Sequence, residues 1–330
     1  MADNYATRDT INYSGLLFNK GNTRTPLTTM LARHRKTTNH VEFVTGQEYT
    51  TGLTGAQPAI SEETSLTAPD VTTVGREQKT NVTQIFHESV GVTYAKMSDM
   101  GTLGGVNIAG QKANPMNELD FQTAAKMQKI GRDIEYTVVR GVYAKAASKT
   151  QANKTRGFDS AITTNVVPMG GKPLGLWGIA EALKAIYDSN APTNGLVLFA
   201  DVTTMYQVNA DAQNNNLTIV PADRTVNGIQ LASVLTPIGK VFLQLGEFLP
   251  AGTAHLLNLD VCGLVEQPTP GKGNFFRELL AKAGAGEKYQ IFGQIGLDHG
   301  PEWYHAKLTG ISTEFTAPAG RPVYLVNSGE

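Results

Sequence analysis

The sequence predicts an α+β protein with two domains, and three features of the chain lead to this prediction. Apolar residues recur at steps of three and four from Met127 to Ala146, a spacing typical of one long amphipathic helix, which we predict over 114–147. Short runs in which apolar and polar residues alternate predict strands toward both ends of the chain. Between these parts, 158–285 mixes helical and strand-like patterns, which indicates a compact α+β domain. A chain of 330 residues also exceeds what one core usually organises.

Composition and charge exclude several classes of protein. The chain carries 28 Lys+Arg and 29 Asp+Glu, so no strong global field marks a nucleic-acid or membrane-surface binder. The single Cys262 excludes an intrachain disulfide framework and multi-cysteine zinc sites, and it favours synthesis in a reducing cytoplasm. The pattern of a signal peptide is missing, and no apolar run approaches the ~18 residues of a membrane span. We therefore expect no membrane partner.

The first segment of the chain predicts an N-terminal arm. Residues 1–40 lack hydrophobic periodicity and are rich in Thr, Asn and Arg. We expect this arm to be extended and to gain order only from a partner surface.

Residues 41–95 predict an extended hairpin loop. We interpret the strand-like runs at 41–44 and 82–90 as its two legs. In the second run Phe86 and Val90 share one face, and Ile85 lies on the other. The segment between the runs exceeds the ~12–15 residues that compact domains leave without regular structure, which favours a functional loop.

The long helix has the clearest start signal in the chain. Asn114 occupies an N-cap position and Pro115 the first helical position, and acidic residues follow in the first turn. A helix over 114–147 would be roughly 50 Å long. Gly131 and Gly141 interrupt it, and either close approach of another backbone or simple local weakness explains them.

The remaining elements are predicted from shorter patterns. A helix is predicted over 177–186, and strands are predicted over 196–199, 241–243 and within 255–265. Strand-like runs at 289–297 and 303–311 flank the sequence Asp298-His299-Gly300-Pro301, which predicts a terminal hairpin.

No motif for catalysis or cofactor binding is complete. Lys172 and Lys240 follow glycine, but neither is followed by the hydroxyl residue of a phosphate-binding loop. The glycines between 101 and 110 miss the spacing of a dinucleotide-binding turn, so a flexible connector is favoured. We predict no cofactor and no enzyme activity.

The chain also lacks a convincing metal or nucleophile site. His299 and His305 have no third imidazole nearby, so we interpret them as surface histidines of a turn and predict no metal. Cys262 lies in an apolar run, which favours a buried, inert thiol.

Two neighbouring segments carry opposite charge. Between Thr10 and Val41 there are five bases and no acid, and between Glu42 and Gly75 five acids and no base. The bases are Lys20, Arg24, Arg33, Arg35 and Lys36, and the acids are Glu42, Glu48, Glu62, Glu63 and Asp70. Two solvated loops remain one explanation. The functional alternative is that the arm of one subunit lies on the loop of another, where complementary charge sets the register.

Taken together, this order of parts resembles the major capsid proteins of tailed bacteriophages, which have the Hong Kong 97-like fold. The segments that most resemble these proteins in sequence are Thr38-Asn39-His40-Val41-Glu42-Phe43-Val44, Lys79-Thr80-Asn81-Val82-Thr83-Gln84-Ile85-Phe86 and Asn117-Glu118-Leu119-Asp120-Phe121. The resemblance covers almost the whole chain, and its motifs are structural rather than catalytic.

The resemblance implies a division of the chain. Residues 1–40 would form the arm and 41–95 the extended loop. A peripheral domain would comprise 96–157, including the spine helix 114–147, and 286–330. An axial domain, 158–285, would be inserted into it.

The resemblance also implies a function. Pentamers and hexamers of the chain would close an icosahedral head around double-stranded DNA, with assembly in the host cytoplasm and a final location in the virion. Because the arm begins almost at Met1, we expect any scaffolding protein to be separate. A cement protein and a portal are further partners, and no motif assigns a covalent crosslink between subunits.

Two points stay open at this stage. The positive arm could instead make non-specific, salt-dependent contact with packaged DNA. An encapsulin-type nanocompartment shell is the alternative with the same architecture, and a soluble α/β enzyme is the alternative of another class.

Overall fold

The computed structural model describes residues 24–49, 57–71, 73–98, 118–214, 220–226, 229–282 and 284–314. Its helices are α1 (Pro26–Leu31), α2 (Glu62–Ser65), α3 (Tyr94–Ser98), α4 (Glu118–Arg140), α5 (Phe158–Ala161), α6 (Leu176–Asp188) and α7 (Val202–Asn214), with a 3₁₀ turn at Glu302–Tyr304. Its strands are β1 (Arg35–Thr37), β2 (Glu42–Tyr49), β3 (Arg76–Val82), β4 (Gln84–Thr93), β5 (Val166–Pro168), β6 (Leu196–Ala200), β7 (Val220–Val226), β8 (Ile229–Leu235), β9 (Lys240–Leu245), β10 (Ala254–Leu257), β11 (Gly263–Glu266), β12 (Phe275–Leu279), β13 (Gly286–Asp298) and β14 (Ala306–Thr309).

The first sheet has five strands and is organised around β13. Strand β4 pairs antiparallel along one edge of β13, from Gly286 opposite Thr93 to Ile295 opposite Gln84. Along the other edge, β12 and β11 pair with successive parts of β13, and β1 pairs parallel with β11. One 13-residue strand therefore connects segments from both ends of the chain.

Helix α4 covers one face of this sheet. Ile130, Ile134 and Val138 on the helix are buried in the same core as Phe86 and Val90 of β4. Ile85 points away from this core and is 58% exposed. The predicted alternation in 82–90 is confirmed by this burial, and it follows from the two-residue period of a strand.

The long helix ends at Arg140, so the predicted end at 147 is wrong. Gly141 lies against Gly157, and a Cβ on Gly141 would come within 2.5 Å of the Thr155 carbonyl oxygen. The Gly157 N–H donates to the Gly141 carbonyl at 2.8 Å, which diverts the backbone from the helical path. Close approach of another backbone therefore explains Gly141. The start signal at Asn114 lies outside the described residues.

The described part of the predicted arm, 24–40, contains a helix that belongs to the subunit's own core, so the prediction of an extended arm ordered only by a partner is wrong for this part. Leu27, Met30 and Leu31 of α1 are at most 2% exposed and pack in the core beneath α4. Buried Glu135 of α4 accepts hydrogen bonds from the Leu27 N–H (3.0 Å) and the Thr28 N–H (2.7 Å). This carboxylate caps α1, whose N-cap residue makes no side-chain cap. Burial raises the pKa of Glu135 in spite of these hydrogen bonds.

The extended hairpin is present, but one of its legs differs from the prediction. Its strands are β2 and β3, which pair antiparallel from Glu42 opposite Val82 to Tyr49 opposite Arg76. The run from Gln84 onward forms β4 and pairs with β13 instead. Only the start of the predicted second leg, at Val82, therefore belongs to the hairpin.

The second sheet has seven strands in the order β5-β14-β10-β6-β9-β8-β7. All five residues of β6 are buried, because its alternate side chains enter two different cores. Helix α6 covers the β14 and β5 end, and α7 packs against β9. The helix predicted at 177–186 and the strands predicted at 196–199 and 241–243 are confirmed by α6, β6 and β9.

The predicted terminal hairpin is wrong. Strand β13 belongs to the first sheet, whereas β14 pairs antiparallel with β10 and parallel with β5 in the second. Gly300, with φ of +63°, turns the chain between the sheets. Burial of Ala306 and Leu308 in the second core decides this placement, which turn chemistry alone cannot reveal.

The predicted domain ranges do not follow sheet membership. Strands β11 and β12 lie within 158–285 but pair with β13, and β14 lies within 286–330 but pairs with β10. The division into an inserted domain at 158–285 and a peripheral domain at 96–157 and 286–330 stays a prediction.

We expect Gly141→Ala to lower the free energy of unfolding by about 1–3 kcal/mol, because the new methyl group would collide with backbone oxygens that cannot move independently. Gly131→Ala, in the same helix, is the control. A Cβ there would meet only the Thr25 Cγ2 at 4.0 Å, so helix propensity should raise stability by up to about 1 kcal/mol. Urea unfolding of both variants tests this, and equal effects would contradict the close-approach explanation.

Candidate intersubunit surface

The root of the extended hairpin is held by one buried aspartate. Asp298, 5% exposed, accepts a hydrogen bond from the Thr45 hydroxyl at 2.9 Å and forms an ion pair with Lys36. The Thr45 hydroxyl oxygen also accepts from the His299 N–H at 2.9 Å. A hydrogen-bonded buried charge joins β1, β2 and the end of β13, which fixes where the hairpin leaves the body of the subunit.

A buried asparagine holds the same root from the other leg. The Asn81 side-chain nitrogen donates to the carbonyl oxygens of Leu297 (2.7 Å) and Arg156 (3.1 Å). Its side-chain oxygen accepts from the N–H groups of Val82 (2.9 Å) and Arg156 (2.8 Å). All four bonds serve main-chain groups, so Asn81 ties β3 to β13 and to the segment that follows α4.

Most bases of the predicted arm are paired within the subunit. Arg24 contacts Glu247 at 3.0 Å, and Arg35 contacts Glu266 at 3.2 Å. Lys36 pairs with Asp298, as described above. Arg33 is exposed and forms no ion pair with any residue in the described ranges. Lys20 lies outside these ranges.

Two of the five predicted acids are also paired within the subunit. Glu42 accepts from the Lys145 ammonium at 2.5 Å, and Glu48 lies 3.1 Å from the Lys79 ammonium. The hydrogen bond from Lys145, with that from Thr80, lowers the pKa of Glu42. Because Glu42 pairs with Lys145 and Glu48 with Lys79, the charge of both acids is already matched within the subunit.

The other three acids lie at the tip of the hairpin. Glu62 and Glu63 occupy the first turn of α2, where the Ser61 hydroxyl caps the Thr64 N–H at 3.1 Å. Asp70 follows outside any helix or strand, and none of the three acids has an ion-pair partner among the described residues. Among the described residues, the structure therefore brings none of Arg24, Arg33, Arg35 and Lys36 against a predicted acid of the loop in the same subunit.

The tip is also apolar to an unusual degree for a solvated loop. Four large hydrophobic residues are more than half exposed, namely Ile60, Leu66, Val71 and Val74, at 70%, 87%, 92% and 53%. Exposed apolar residues interleaved with acids, on a projecting hairpin, are typical of a surface that another protein covers.

The sequence analysis missed the roles of Asp298 and Asn81. The partners of Asn81 are as many as 216 positions away along the chain, and Asp298 binds Thr45 across 253 positions. No local pattern marks either residue as buried, so these contacts could be found only from the tertiary structure.

The histidines of the turn after β13 are buried, so their prediction as surface residues is wrong. His299 is 2% exposed and His305 is fully buried. The His305 Nδ1 accepts from the Asn258 N–H at 3.1 Å, and its Nε2 contacts the His299 carbonyl oxygen at 2.7 Å. Burial lowers the pKa of His305 to about 4. The turn is thus packed at the junction of the two sheets.

No arrangement for metal or thiol chemistry occurs in the part of the chain that the structure describes. No group of three His, Cys, Asp or Glu side chains there could hold a metal ion. The prediction that Cys262 is buried is confirmed, and burial raises the pKa of its thiol well above the usual value, which disfavours the reactive thiolate. Within the same ranges, no helix is long and apolar enough to cross a bilayer.

A family model and two solved capsid structures match this chain over most of its length. The family model described as SU10 major capsid protein matches residues 2–312. A subunit of the cyanophage A-1(L) capsid has a TM-score of 0.65 and 11% identity, covering 94% of this chain and 98% of that one. The capsid of Myoviridae phage XM1 gives 0.55 and 10%, covering 91% and 96%.

A shell of another kind is also similar. The SrpI encapsulin complex of Synechococcus elongatus has a TM-score of 0.60 and 11% identity, covering 92% of this chain and 95% of that one. A search of curated proteins found no match. At these identities the structural likenesses show a shared fold.

We expect Asn81→Ala to destabilise the subunit by about 3 kcal/mol or more, because it leaves four main-chain groups without their buried partner. Thr80→Ala, at the neighbouring position, removes only one hydrogen bond, to Glu42, and should cost about 1 kcal/mol. Urea unfolding measures both, and equal losses would contradict a special role for Asn81.

We also expect the neutral form of His305 to make stability depend on pH. The pKa of His305 falls from 6.5 to about 4 on folding. The stability that the neutral, buried imidazole provides is therefore fully present above pH 6.5 and is lost as the pH falls toward 4. The loss amounts to about 3 kcal/mol. In His305→Gln the decrease in stability on acidification should be smaller by that amount, measured by urea unfolding across this interval.

The control for this experiment is His87→Gln, at an exposed position of β4. It should keep the wild-type dependence on pH. If His305→Gln lost as much stability on acidification as His87→Gln and the wild-type chain, burial of His305 would not be the cause of the acid destabilisation.

Proposed function

We propose, from the fact that this chain belongs to the SU10 major capsid protein family, that it assembles as pentamers and hexamers into an icosahedral phage head around double-stranded DNA. The single observation that carries this proposal is the match of the family model to residues 2–312. The protein is a capsid shell protein, and its fold is the Hong Kong 97-like fold that the sequence analysis predicted. The virion capsid is its location.

The geometry supports a role that consists of contacts between copies. Hydrogen bonds of Asn81 and Asp298 hold the root of the hairpin, and its tip exposes apolar and acidic side chains. A subunit held by several modest contacts gains from the high effective concentration at the second and later contacts. An exposed tip on a root held by hydrogen bonds is therefore suited to contacts with neighbouring copies in a closed lattice.

Fewer charged residues than the sequence analysis named remain for pairing between the arm of one copy and the loop of another. Five of the ten charged residues are paired within the subunit and cannot also supply free charge to a neighbour. Contact between copies is assigned to the tip acids Glu62, Glu63 and Asp70, with Arg33 and Lys20 as the remaining bases of the arm. Complementary charge at such a contact sets register and partner choice more than affinity.

The remaining partners are proposals that follow from the family. We assign assembly to the host cytoplasm, with a separate scaffolding protein, a cement protein and a portal as candidate partners. Non-specific contact with packaged DNA is proposed for the arm. We assign no enzyme activity to the chain, because a capsid subunit acts by its geometry.

The encapsulin-type nanocompartment is the second candidate function. The likeness to the SrpI encapsulin favours it, but that likeness concerns the fold alone, whereas the family model describes a phage capsid protein. Expression of the chain followed by negative-stain microscopy tests assembly, and the contents of the particle in its natural source separate a genome from an enzyme cargo. A persistent monomer that turned over a small molecule would contradict both.

We expect reversal of the tip acids to impair assembly without unfolding the subunit. Glu62→Lys, Glu63→Lys and Asp70→Lys together change the charge of an exposed segment with no ion pairs among the described residues. The yield of closed particles should fall and depend more steeply on salt, measured by sedimentation. A second variant, Asp70→Lys alone, has a matched control in Glu181→Lys, which makes the same charge change at an exposed position of α6. The control should assemble normally. Unchanged yield in the triple variant would refute the contact.

A further inference from the structure

A cleft lies between the root of the extended hairpin and the loops that lead into β5 and β14 of the second sheet. Its volume is about 750 Å³, which is within the range of clefts that hold small molecules. One wall is the hairpin, with Glu48 and Lys79, and the other includes Thr163, Thr164 and Trp303. A molecule bound here would contact two separate parts of the subunit.

The cleft is also lined by a buried histidine whose ring has no partner. His299 is 2% exposed, and neither of its ring nitrogens makes a hydrogen bond of normal geometry. Burial lowers the pKa of His299, and the positive charge of Arg156 acts in the same direction, so the ring is neutral. A buried polar group without a partner costs free energy, which favours a ligand that can hydrogen-bond to the ring.

Arg156 gives the cleft a cation without an acidic partner. Its guanidinium carbon lies 4.7 Å from the centre of the Tyr143 ring, and it forms no ion pair with any residue in the described ranges. Asn81 bonds both the N–H and the carbonyl oxygen of Arg156, so the main chain at this position is anchored. An anchored arginine suits a carboxylate or a phosphate, because either group accepts two parallel hydrogen bonds from the guanidinium.

The two carboxylates that line the cleft are already engaged. Glu48 lies 3.1 Å from the Lys79 ammonium. Glu302 accepts hydrogen bonds from the main-chain N–H groups of Thr163 and Thr164, at 3.0 and 3.1 Å. Neither acid supplies the missing acceptor for Arg156. The charge of Glu302 remains, so the cleft favours a small anion over a polyanion.

Three further acids adjoin lining residues along the chain, and each is paired with a lysine. They are Asp159, Asp188 and Asp298, and their partners are Lys307, Lys184 and Lys36. None of the three is therefore free to neutralise Arg156.

Aromatic side chains add apolar surface to the same cleft. Tyr49 is 68% exposed, and Trp303 is partly buried against the core of the second sheet. Such surface favours a ligand with an organic body over a bare inorganic ion.

We propose that this cleft binds a small organic anion, with its carboxylate or phosphate group on Arg156 and its body against Tyr49 and Trp303. The bound molecule links the hairpin root to the second sheet and so restrains the hairpin. This site goes beyond the proposed function and does not depend on it, because the cleft lies within one subunit.

Saturation-transfer NMR on the purified chain tests the site with three probes that share one aromatic ring. Benzoate and phenyl phosphate carry the two candidate anionic groups, and benzyl alcohol is the neutral control. We expect at least one anion to bind with a Kd of about 1 mM or lower, and the tighter one identifies the group. Binding by neither anion, or equal binding of benzyl alcohol, would overturn the proposal.

Two variants with opposite expected effects locate the anion. Arg156→Gln should weaken binding about tenfold or more, because it removes the charged donors. Glu48→Gln should tighten binding severalfold, because it removes a negative charge and frees Lys79. A general loss of structure cannot tighten binding, so the second variant keeps the test valid even if the first unfolds.

The matched control is Arg33→Gln, which removes an exposed arginine that has no ion pair among the described residues. It should bind the probe as the wild-type chain does. Unchanged affinity in a folded Arg156→Gln, weaker binding in Glu48→Gln, or an equal loss in Arg33→Gln would each overturn the proposal. Because binding is measured on the subunit, failure to form shells would contradict only the proposed function.

Discussion

The hydrogen-bond ladder of β13 is the constraint on which the other parts of the subunit depend. This strand pairs with β4 on one side and with β11 and β12 on the other, and Asp298 at its end holds β1 and the hairpin root. Every unpaired main-chain group in a buried sheet costs free energy, so the strand with both edges satisfied becomes the fixed reference for the rest. The arm, the hairpin and α4 are positioned relative to it.

Charge serves two separate purposes in this subunit. Near the body, acids and bases are matched within the chain, as in Arg35 with Glu266 and Lys145 with Glu42. At the hairpin tip, the acids stand beside exposed apolar side chains with no matching base among the described residues. Intramolecular pairs orient the projecting hairpin, and unmatched charge at its end remains available to a neighbour. This division explains why net charge near zero is compatible with specific contacts between many copies.

Burial of polar groups at the junction of the sheets gives the subunit a defined geometry and an acid sensitivity. Asn81 has four main-chain partners, and His305 is bonded on both ring nitrogens. Buried side chains whose hydrogen bonds are all made, such as the Asn81 amide, favour one arrangement over its alternatives, because leaving such a group without a partner is costly. The same burial disfavours the charged imidazole, so protonation acts against the packed junction.

The sequence by itself determined the local elements and the order of parts that resembles a capsid subunit. The buried faces of β4 and β6 and the helix α6 follow from periodicity, which depends only on near neighbours along the chain. Only the tertiary structure decided that α4 ends at Arg140, that β14 leaves β13 for the second sheet, and that most of the arm's charged side chains are paired within the subunit. Each of these depends on residues distant in sequence, whose contacts outweigh the local turn and helix preferences because they bury main-chain and apolar groups together.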